Sequence, residues 1–278
     1  MLLRSINMQL TLILERKVAT VIFFLLFGIM LANYFQNVLT YSGTDIVDMY
    51  HPMKLLTLSN YSEYSFYLMQ YYPLLVVIPA GFALYNDKTL NQFIFIQARV
   101  NARNYYLGKI IVVFLVTFFV FTVPFLIEIL LNIIAFPVNA VGDPSNFSIY
   151  DNSYIEIMSM YLLSDLYTLS PYLYATFFTL VFGVLSGILA IFTVAVSTFP
   201  IKFKALLFLP VYVLLYLLGM LKQLIPAISV ETNYFFYLGF YHPISRASES
   251  LLVYLSLSIM LLVLATSIIV YQIKKDAL

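Results

Sequence analysis

The chain has 278 residues, of which 63% are hydrophobic and only 10% are charged, and its mean hydropathy is +0.95. A water-soluble domain needs more polar residues than this to cover its surface, so the composition predicts one integral membrane domain, 1–278, with lipid as its main solvent. The net charge of +1 argues against a nucleic-acid-binding surface, and the absence of cysteine excludes disulfides and thiolate sites.

The first predicted element is an amphipathic helix within residues 1–17. Polar residues occupy its other faces, while apolar residues recur at helical spacing at Leu2, Ile6, Leu10 and Ile13. This pattern predicts a helix lying in the cytoplasmic interface of the membrane. It is either a simple membrane anchor or a docking element for a partner, and the pattern does not separate these two roles.

Six apolar runs follow, each long enough to cross a bilayer, because about 20 helical residues span a hydrocarbon core about 30 Å thick. The runs lack the alternation of apolar and polar residues expected of a membrane β-barrel, so the predicted fold is an all-α integral membrane protein. In the fourth run, Gly183 and Gly187 predict close helix packing. The predicted spans are 18–39, 66–85, 107–136, 172–198, 205–221 and 251–272.

The basic residues predict the orientation, because lysine and arginine next to a span are retained on the cytoplasmic side. With both termini in the cytoplasm, eleven of the 14 basic residues lie in inner segments. The three outer ones are Lys54, Lys222 and Arg246. The sequence therefore predicts a multi-pass protein of the cell membrane with both ends inside.

Three connecting segments carry further patterns. In the inner segment after the second span, Asn86 and Asp87 are placed to cap a short cytoplasmic helix. The acidic outer loop after the third span predicts a cap with a short helix near 154–163. The last outer loop, 225–245, is too apolar for an ordinary loop and predicts either a re-entrant hairpin or an interfacial aromatic belt. Its aromatic residues are Tyr234, Phe235, Phe236, Tyr237, Phe240 and Tyr241.

Few residues suggest chemistry. Glu128 is an ionisable residue within the third span, and Asn132 lies one turn along on the same face. In a functional interpretation, Glu128 lines an aqueous cavity or binds a substrate cation. In a structural one, it lies near the outer headgroups or is hydrogen-bonded to a neighbouring helix. There is no GxxxxGK[ST] phosphate loop, and His51 and His242 lack metal-ligand spacing. We therefore predict no catalytic residue, no metal site and no cofactor in this chain.

The order of these parts resembles the membrane subunits of type-2 ABC exporters, a six-span bacterial family. The resemblance covers nearly the whole chain and rests on the amphipathic first helix, the short inner segment after the second span, the tight inner turn at 199–204 and the aromatic outer hairpin. It implies a connecting helix at 2–15, a coupling helix at 86–95 that sits in an ATPase cleft, and an outer gate formed by the aromatic hairpin. The coupling residues it implies are Asn86, Asp87, Lys88, Thr89, Leu90, Gln92, Phe93 and Ile94.

The resemblance further implies a permease without ATPase activity of its own. It would pair with a second, identical or homologous permease and with two cytoplasmic ATPase subunits that hold ATP and Mg. Because the basic aromatic stretch of polysaccharide exporters is missing before the first span, a peptide, drug or other amphipathic compound is the expected substrate. The composition indicates a Gram-positive bacterium. Two alternatives stay open: an ATP-independent carrier or channel that uses Glu128, and a membrane immunity or scaffold protein.

Overall fold

The computed structural model describes residues 2–46, 49–90, 96, 101–137, 162–225, 232–240 and 247–276. The prediction of an all-α fold is confirmed for this part of the chain. Two short 3₁₀ helices lie at Pro52–Leu55 and Lys204–Leu207. The α-helices are α1 (Leu2–Glu15), α2 (Val18–Thr40), α3 (Glu63–Leu75), α4 (Ala83–Thr89), α5 (Ala102–Ala135), α6 (Ser164–Leu169), α7 (Pro171–Val196), α8 (Leu209–Leu224), α9 (Phe235–Leu238) and α10 (Ala247–Asp276).

Five helices within the described residues are long and apolar enough to cross a membrane. They are α2, α5, α7, the segment Lys204–Leu224 that includes α8, and the stretch Leu255–Lys274 of α10. Their outward surfaces carry large apolar side chains, among them Phe24 of α2 and Phe119 of α5, which are 63% and 55% exposed. Surfaces of this kind favour lipid over water. The chain is therefore a multi-pass membrane protein, and five of the six predicted spans coincide with these helices to within a few residues.

The predicted second span, 66–85, is not one continuous helix. Residues 76–82 between α3 and α4 form turns. Pro79 lies in this break, where its ring and its missing N–H oppose a continuous helix. Gly81 is also in the break, and a Cβ there would lie 3.2 Å from Thr193 of α7, so the backbones of the two segments approach closely. The structure therefore does not confirm six continuous helical spans, and the crossing of the membrane by the broken segment stays a prediction.

Helices α5 and α7 form the centre of the bundle, with α1 and α2 packed on α5 and with α10 packed on α7. The predicted close packing at Gly183 and Gly187 is confirmed. A methyl group at Gly183 would overlap the hydroxyl of Thr122 on α5, and one at Gly187 would lie 2.5 Å from the Phe114 ring. Glycine at both positions allows the two helices to touch along their middle.

The connecting segments gather at two opposite ends of the bundle. At one end, α4 and the start of α5 meet the end of α7 around Asp87. At the other end, the end of α2 and the segment 49–62 meet the end of α5 around Glu128. We call these the Asp87 end and the Glu128 end. The prediction assigns the first to the cytoplasmic side and the second to the outside.

Several predicted features lie outside the described residues. Most of the predicted helix near 154–163 is among them, and the described chain resumes at Leu162, shortly before α6. Four predicted site residues and one side chain also lie there: Gln92, Phe93, Ile94, Tyr241 and the side chain of Tyr237.

Candidate functional site

A buried carboxylate organises the Asp87 end. Asp87 lies in α4 and is 0% exposed. Its Oδ1 accepts a hydrogen bond from Arg16 Nη2 at 3.1 Å, and its Oδ2 accepts from Lys109 Nζ and from Tyr105 OH, each at 2.6 Å. Arg16 stands between α1 and α2, whereas Tyr105 and Lys109 belong to the first turns of α5. One carboxylate therefore joins α4 to α5 and to the turn between α1 and α2.

Lys88 makes a second connection, from α4 to α7. Its Nζ donates to the backbone oxygens of Thr198 at 2.8 Å and Ser197 at 3.4 Å. These carbonyls lie just past the last turn of α7, where the partial negative charge of a helix terminus favours a cation. Neighbouring residues of one short helix thus fasten it to α5 on one side and to α7 on the other.

The structure divides the predicted coupling residues into an inward set and an outward set. Asp87 and Lys88 are bonded to the bundle, and Asn86 is half-buried. Thr89 and Leu90 are exposed, and Leu90 is 61% exposed. The predicted capping role is wrong, because α4 begins at Ala83 and Asn86 and Asp87 lie inside it. Contact of this segment with an ATPase stays a prediction.

Glu128 is the corresponding carboxylate at the Glu128 end, and it is also 0% exposed. Its Oε1 accepts hydrogen bonds from Thr57 N at 2.9 Å, Thr57 Oγ1 at 2.7 Å and Asn33 Nδ2 at 2.8 Å. Its Oε2 has no hydrogen-bond partner among the described residues. Asn132, one turn along, donates to a carbonyl of 49–62 at 3.5 Å. These bonds favour the structural interpretation of Glu128, in which it holds 49–62 against α2 and α5.

Two asparagines of α2 extend this cluster. Asn33 Nδ2 also donates to Leu55 O at 2.8 Å, while its Oδ1 accepts from Ser62 Oγ at 2.8 Å. Asn37 Nδ2, one turn further, donates to the same Leu55 oxygen at 2.8 Å. Neither asparagine was predicted as a site residue, although two amide side chains four residues apart on one face of a largely apolar helix were a visible signal. Their partners lie in an irregular segment that has no periodic pattern.

Two polar side chains near the start of the segment 49–62, His51 and Lys54, are buried. His51 Nδ1 accepts a hydrogen bond from Met53 N at 3.2 Å. Burial lowers the pKa of His51 to about 4, and the nearby Lys54 ammonium contributes to this shift. Lys54 is itself buried, with its Nζ 5.3 Å from the Tyr61 ring centroid and 6.0 Å from that of Tyr50. His51 is therefore neutral at physiological pH, which avoids a second buried cation next to Lys54.

The described residues of the predicted outer gate contact both the segment 49–62 and α3. Phe240 N donates to Leu58 O at 3.1 Å, and Phe240 O accepts from Asn60 N at 3.3 Å. Tyr234 OH donates to Met69 O of α3 at 3.2 Å. Burial raises the pKa of Tyr234 to about 12, and Tyr212 adds to this shift. Phe235 and Phe236 are half-buried beside Tyr234.

A short path of direct contacts connects Glu128 to these gate residues. Glu128 holds Thr57 through both its backbone N–H and its hydroxyl, and the next residue, Leu58, accepts the backbone hydrogen bond of Phe240. Loss of the Glu128 carboxylate would therefore release a segment to which Phe240 of the predicted gate is bonded. This link makes the Glu128 cluster and the predicted gate one structural unit.

The two carboxylate clusters are separated by the thickness of a membrane. Lys109 and Glu128 both lie on α5, about 28 Å apart along the axis at 1.5 Å per residue. The residues of α5 between them, 110–127, contain no Asp, Glu, Lys or Arg. A hydrocarbon core is about 30 Å thick, so an α5 that crosses it places each cluster at one boundary. The cost of burying each carboxylate is then lower than at the membrane centre.

Comparison of the chain with protein-family models, with curated proteins and with solved structures gives no match. Within the described part of the chain, no three His, Asp or Glu side chains lie close enough together to bind a metal ion. The class that the fold and these clusters define is thus a multi-pass, all-α membrane protein with one buried carboxylate at each end of its central helix.

Proposed function

We propose that this chain is the permease subunit of an ATP-driven exporter. It would form half of a homodimeric or heterodimeric path and would be driven by two cytoplasmic ATPase subunits that bind ATP and Mg. The observation that supports the proposal is the attachment of α4. This short helix ends in exposed Thr89 and Leu90, while Asp87 and Lys88 fix it to α5 and α7.

Such an attachment suits the transmission of force. A push on a segment that hangs from a flexible loop is absorbed by the loop, whereas a push on α4 acts on α5, α7 and the α1–α2 junction together. Rigid-body movement of packed helices is a common way in which a local event changes a distant site. In this proposal, ATPase movements at the Asp87 end tilt α5 and α7 and open the closed Glu128 end.

The proposed substrate is a peptide, drug or other amphipathic compound. This substrate class is supported only by the resemblance to type-2 ABC exporters. Within that family, polysaccharide exporters carry a basic aromatic stretch ahead of the first span, and this chain lacks it. Origin in a Gram-positive cell membrane is likewise proposed on composition alone.

The test is co-purification with a cytoplasmic ATPase encoded beside this chain, followed by substitution of the exposed tip. Leu90→Asp places a charge on a residue that is 61% exposed, and Leu169→Asp is the matched control at a 74% exposed leucine of α6 on the opposite end. We expect Leu90→Asp to abolish co-purification and stimulated ATP hydrolysis, and Leu169→Asp to retain both. Failure to recover any ATPase, or equal behaviour of the two variants, would overturn the proposal.

The Oε2 of Glu128, which has no hydrogen-bond partner among the described residues, favours one alternative, an ATP-independent carrier or channel. In that case Glu128→Gln should abolish transport in vesicles that contain only this chain. A membrane immunity or scaffold protein, the third hypothesis, would show neither ATPase association nor transport.

A further inference from the structure

Helix α1 has three distinct faces. Ser5, Gln9 and Ile13 are buried against the bundle. The polar face carries Arg4, Asn7 and Thr11, all exposed. The third face exposes a row of leucines: Leu3 at 76%, Leu10 at 36% and Leu14 at 47%. A helix with exposed leucines beside a polar face is suited to the boundary between lipid and water.

A groove of about 550 Å³ lies between α1, α2 and α5. This volume is within the range of pockets that bind small ligands. Its walls are apolar apart from Thr20, and they include Leu14 of α1, Phe23 and Phe24 of α2, and Phe119 of α5. Because these walls offer almost no hydrogen-bonding groups, the ligand part that fits them is a hydrocarbon chain.

A basic residue, Lys17, lies at the same place. Lys17 forms the sharp turn between α1 and α2 with a φ of 57°, between the groove residues Leu14 and Ala19. It is exposed and makes no ion pair among the described residues, whereas its neighbour Arg16 is bonded to Asp87. Glu15 is the acid next to it in sequence, and it too is exposed. The ammonium of Lys17 is therefore available to a phosphate.

We propose that this groove holds an acyl chain of an anionic phospholipid whose phosphate contacts Lys17. A lipid accounts for both features, the apolar walls and the available ammonium, whereas a helix from a second copy of the chain would account only for the walls. The site needs only the described helices and a bilayer, so it does not rest on the proposed exporter function.

The absence of tryptophan from the sequence gives a direct test. Phe119→Trp places the chain's single tryptophan in the groove, where its emission is selected over that of the tyrosines by red-edge excitation. Phe177→Trp, at a 42% exposed position on α7 outside the groove, is the matched control. The full chain is reconstituted in phosphatidylcholine nanodiscs that contain a minor fraction of lipid with brominated acyl chains, which quench a Trp on contact. The brominated lipid is phosphatidylglycerol in one series and phosphatidylcholine in the other.

We expect Phe119→Trp to be quenched more strongly by brominated phosphatidylglycerol, with an apparent affinity about fivefold higher than for brominated phosphatidylcholine, the effect of one basic residue at a membrane surface. Phe177→Trp should show no preference. Lys17→Gln added to Phe119→Trp should remove the preference, and Thr20→Phe, which fills the groove, should reduce quenching by both lipids.

Three results would each overturn the proposal. Equal quenching of Phe119→Trp by the two lipids would exclude an anionic headgroup site. Quenching of Phe177→Trp but not of Phe119→Trp would mean that protein, such as a second copy of the chain, covers the groove. A preference that persists in the Lys17→Gln variant would show that Lys17 does not bind the phosphate.

Discussion

Removal of the Asp87 carboxylate should destabilise the protein more than a typical substitution does. Asp87→Ala leaves the ammonium of Lys109, which is 1% exposed, without a counter-charge. Breaking a buried pair in this way costs about 3–5 kcal/mol, because one charge stays buried and uncompensated. Arg16 adds little to this figure, since its side chain is 24% exposed and water can solvate it. At about 2–4 °C per kcal/mol for a large domain, the melting temperature should fall by about 10 °C.

The assay is the melting temperature of the full chain in detergent, read as the loss of the monodisperse peak of a fluorescent fusion in size-exclusion chromatography. Asp87→Asn is a milder control because it keeps an oxygen acceptor for Tyr105. The double variant Asp87→Leu with Lys109→Met removes both buried charges and should recover most of the loss. If Asp87→Ala melts within about 1 °C of the native chain, or if the double variant is no better than Asp87→Ala, an uncompensated Lys109 is not the cause.

Three further predictions follow from other contacts. Glu128→Ala should expose Leu58 more than Glu128→Gln does, because only Gln keeps an acceptor for Thr57. In this cysteine-free chain, a single Leu58→Cys should therefore react faster with an impermeant maleimide in the Ala background; equal rates would contradict the link. Gly183→Ala should cost about 1–3 kcal/mol through its overlap with Thr122, and Thr122→Ala should relieve it; additive losses would exclude a direct clash. His51, with its pKa lowered from 6.5 to about 4, binds its proton less readily in the folded protein, so stability should be lost as pH falls from 6.5 towards 4. The His51→Gln variant should flatten this dependence in melting temperatures measured across that pH range, and an unchanged slope would rule out His51 as its source.

The positions of the long helices could be predicted from sequence because their signal is direct. A run of apolar residues long enough to span a bilayer has few alternatives to a helix, since each backbone polar group must find a partner within the lipid. The break at 76–82 escaped prediction because Pro79 alone permits both a kinked helix and a full interruption. The interrupted segment packs closely against α7 at Gly81. This is a tertiary contact, which a local sequence pattern does not reveal.

The candidate sites were predictable only in part, and the two carboxylates show why. Glu128 was found because an ionisable residue inside an apolar helix is costly and therefore conspicuous. Asp87 was interpreted as a cap on a partner-facing helix, yet the structure buries it against Lys109. The missed signal was Lys109 itself, which lies within the predicted span 107–136 and needs an acid nearby. When basic residues are counted to predict the orientation of the spans, Lys109 is taken as a charge that flanks a span, and the acid that neutralises it is not considered.

The two buried carboxylates lie at opposite ends of α5, which suggests how the Asp87 end and the Glu128 end of the bundle communicate. Between Lys109 and Glu128, α5 is a single helix about 28 Å long with no charged residue, and its middle is packed against the glycines of α7. The packed middle of α5 resists bending, whereas Pro124, between this middle and Glu128, removes one backbone hydrogen bond of the helix. Displacement of the Asp87 end would therefore reach the Glu128 end as a tilt of α5 or as a change of its bend at Pro124. There, three hydrogen bonds from Thr57 and Asn33 converge on one carboxylate oxygen, and small movements weaken such directional contacts steeply. The segment that carries Thr57 is also hydrogen-bonded to Phe240 of the predicted gate, so these bonds are where a movement of α5 would first loosen the Glu128 end.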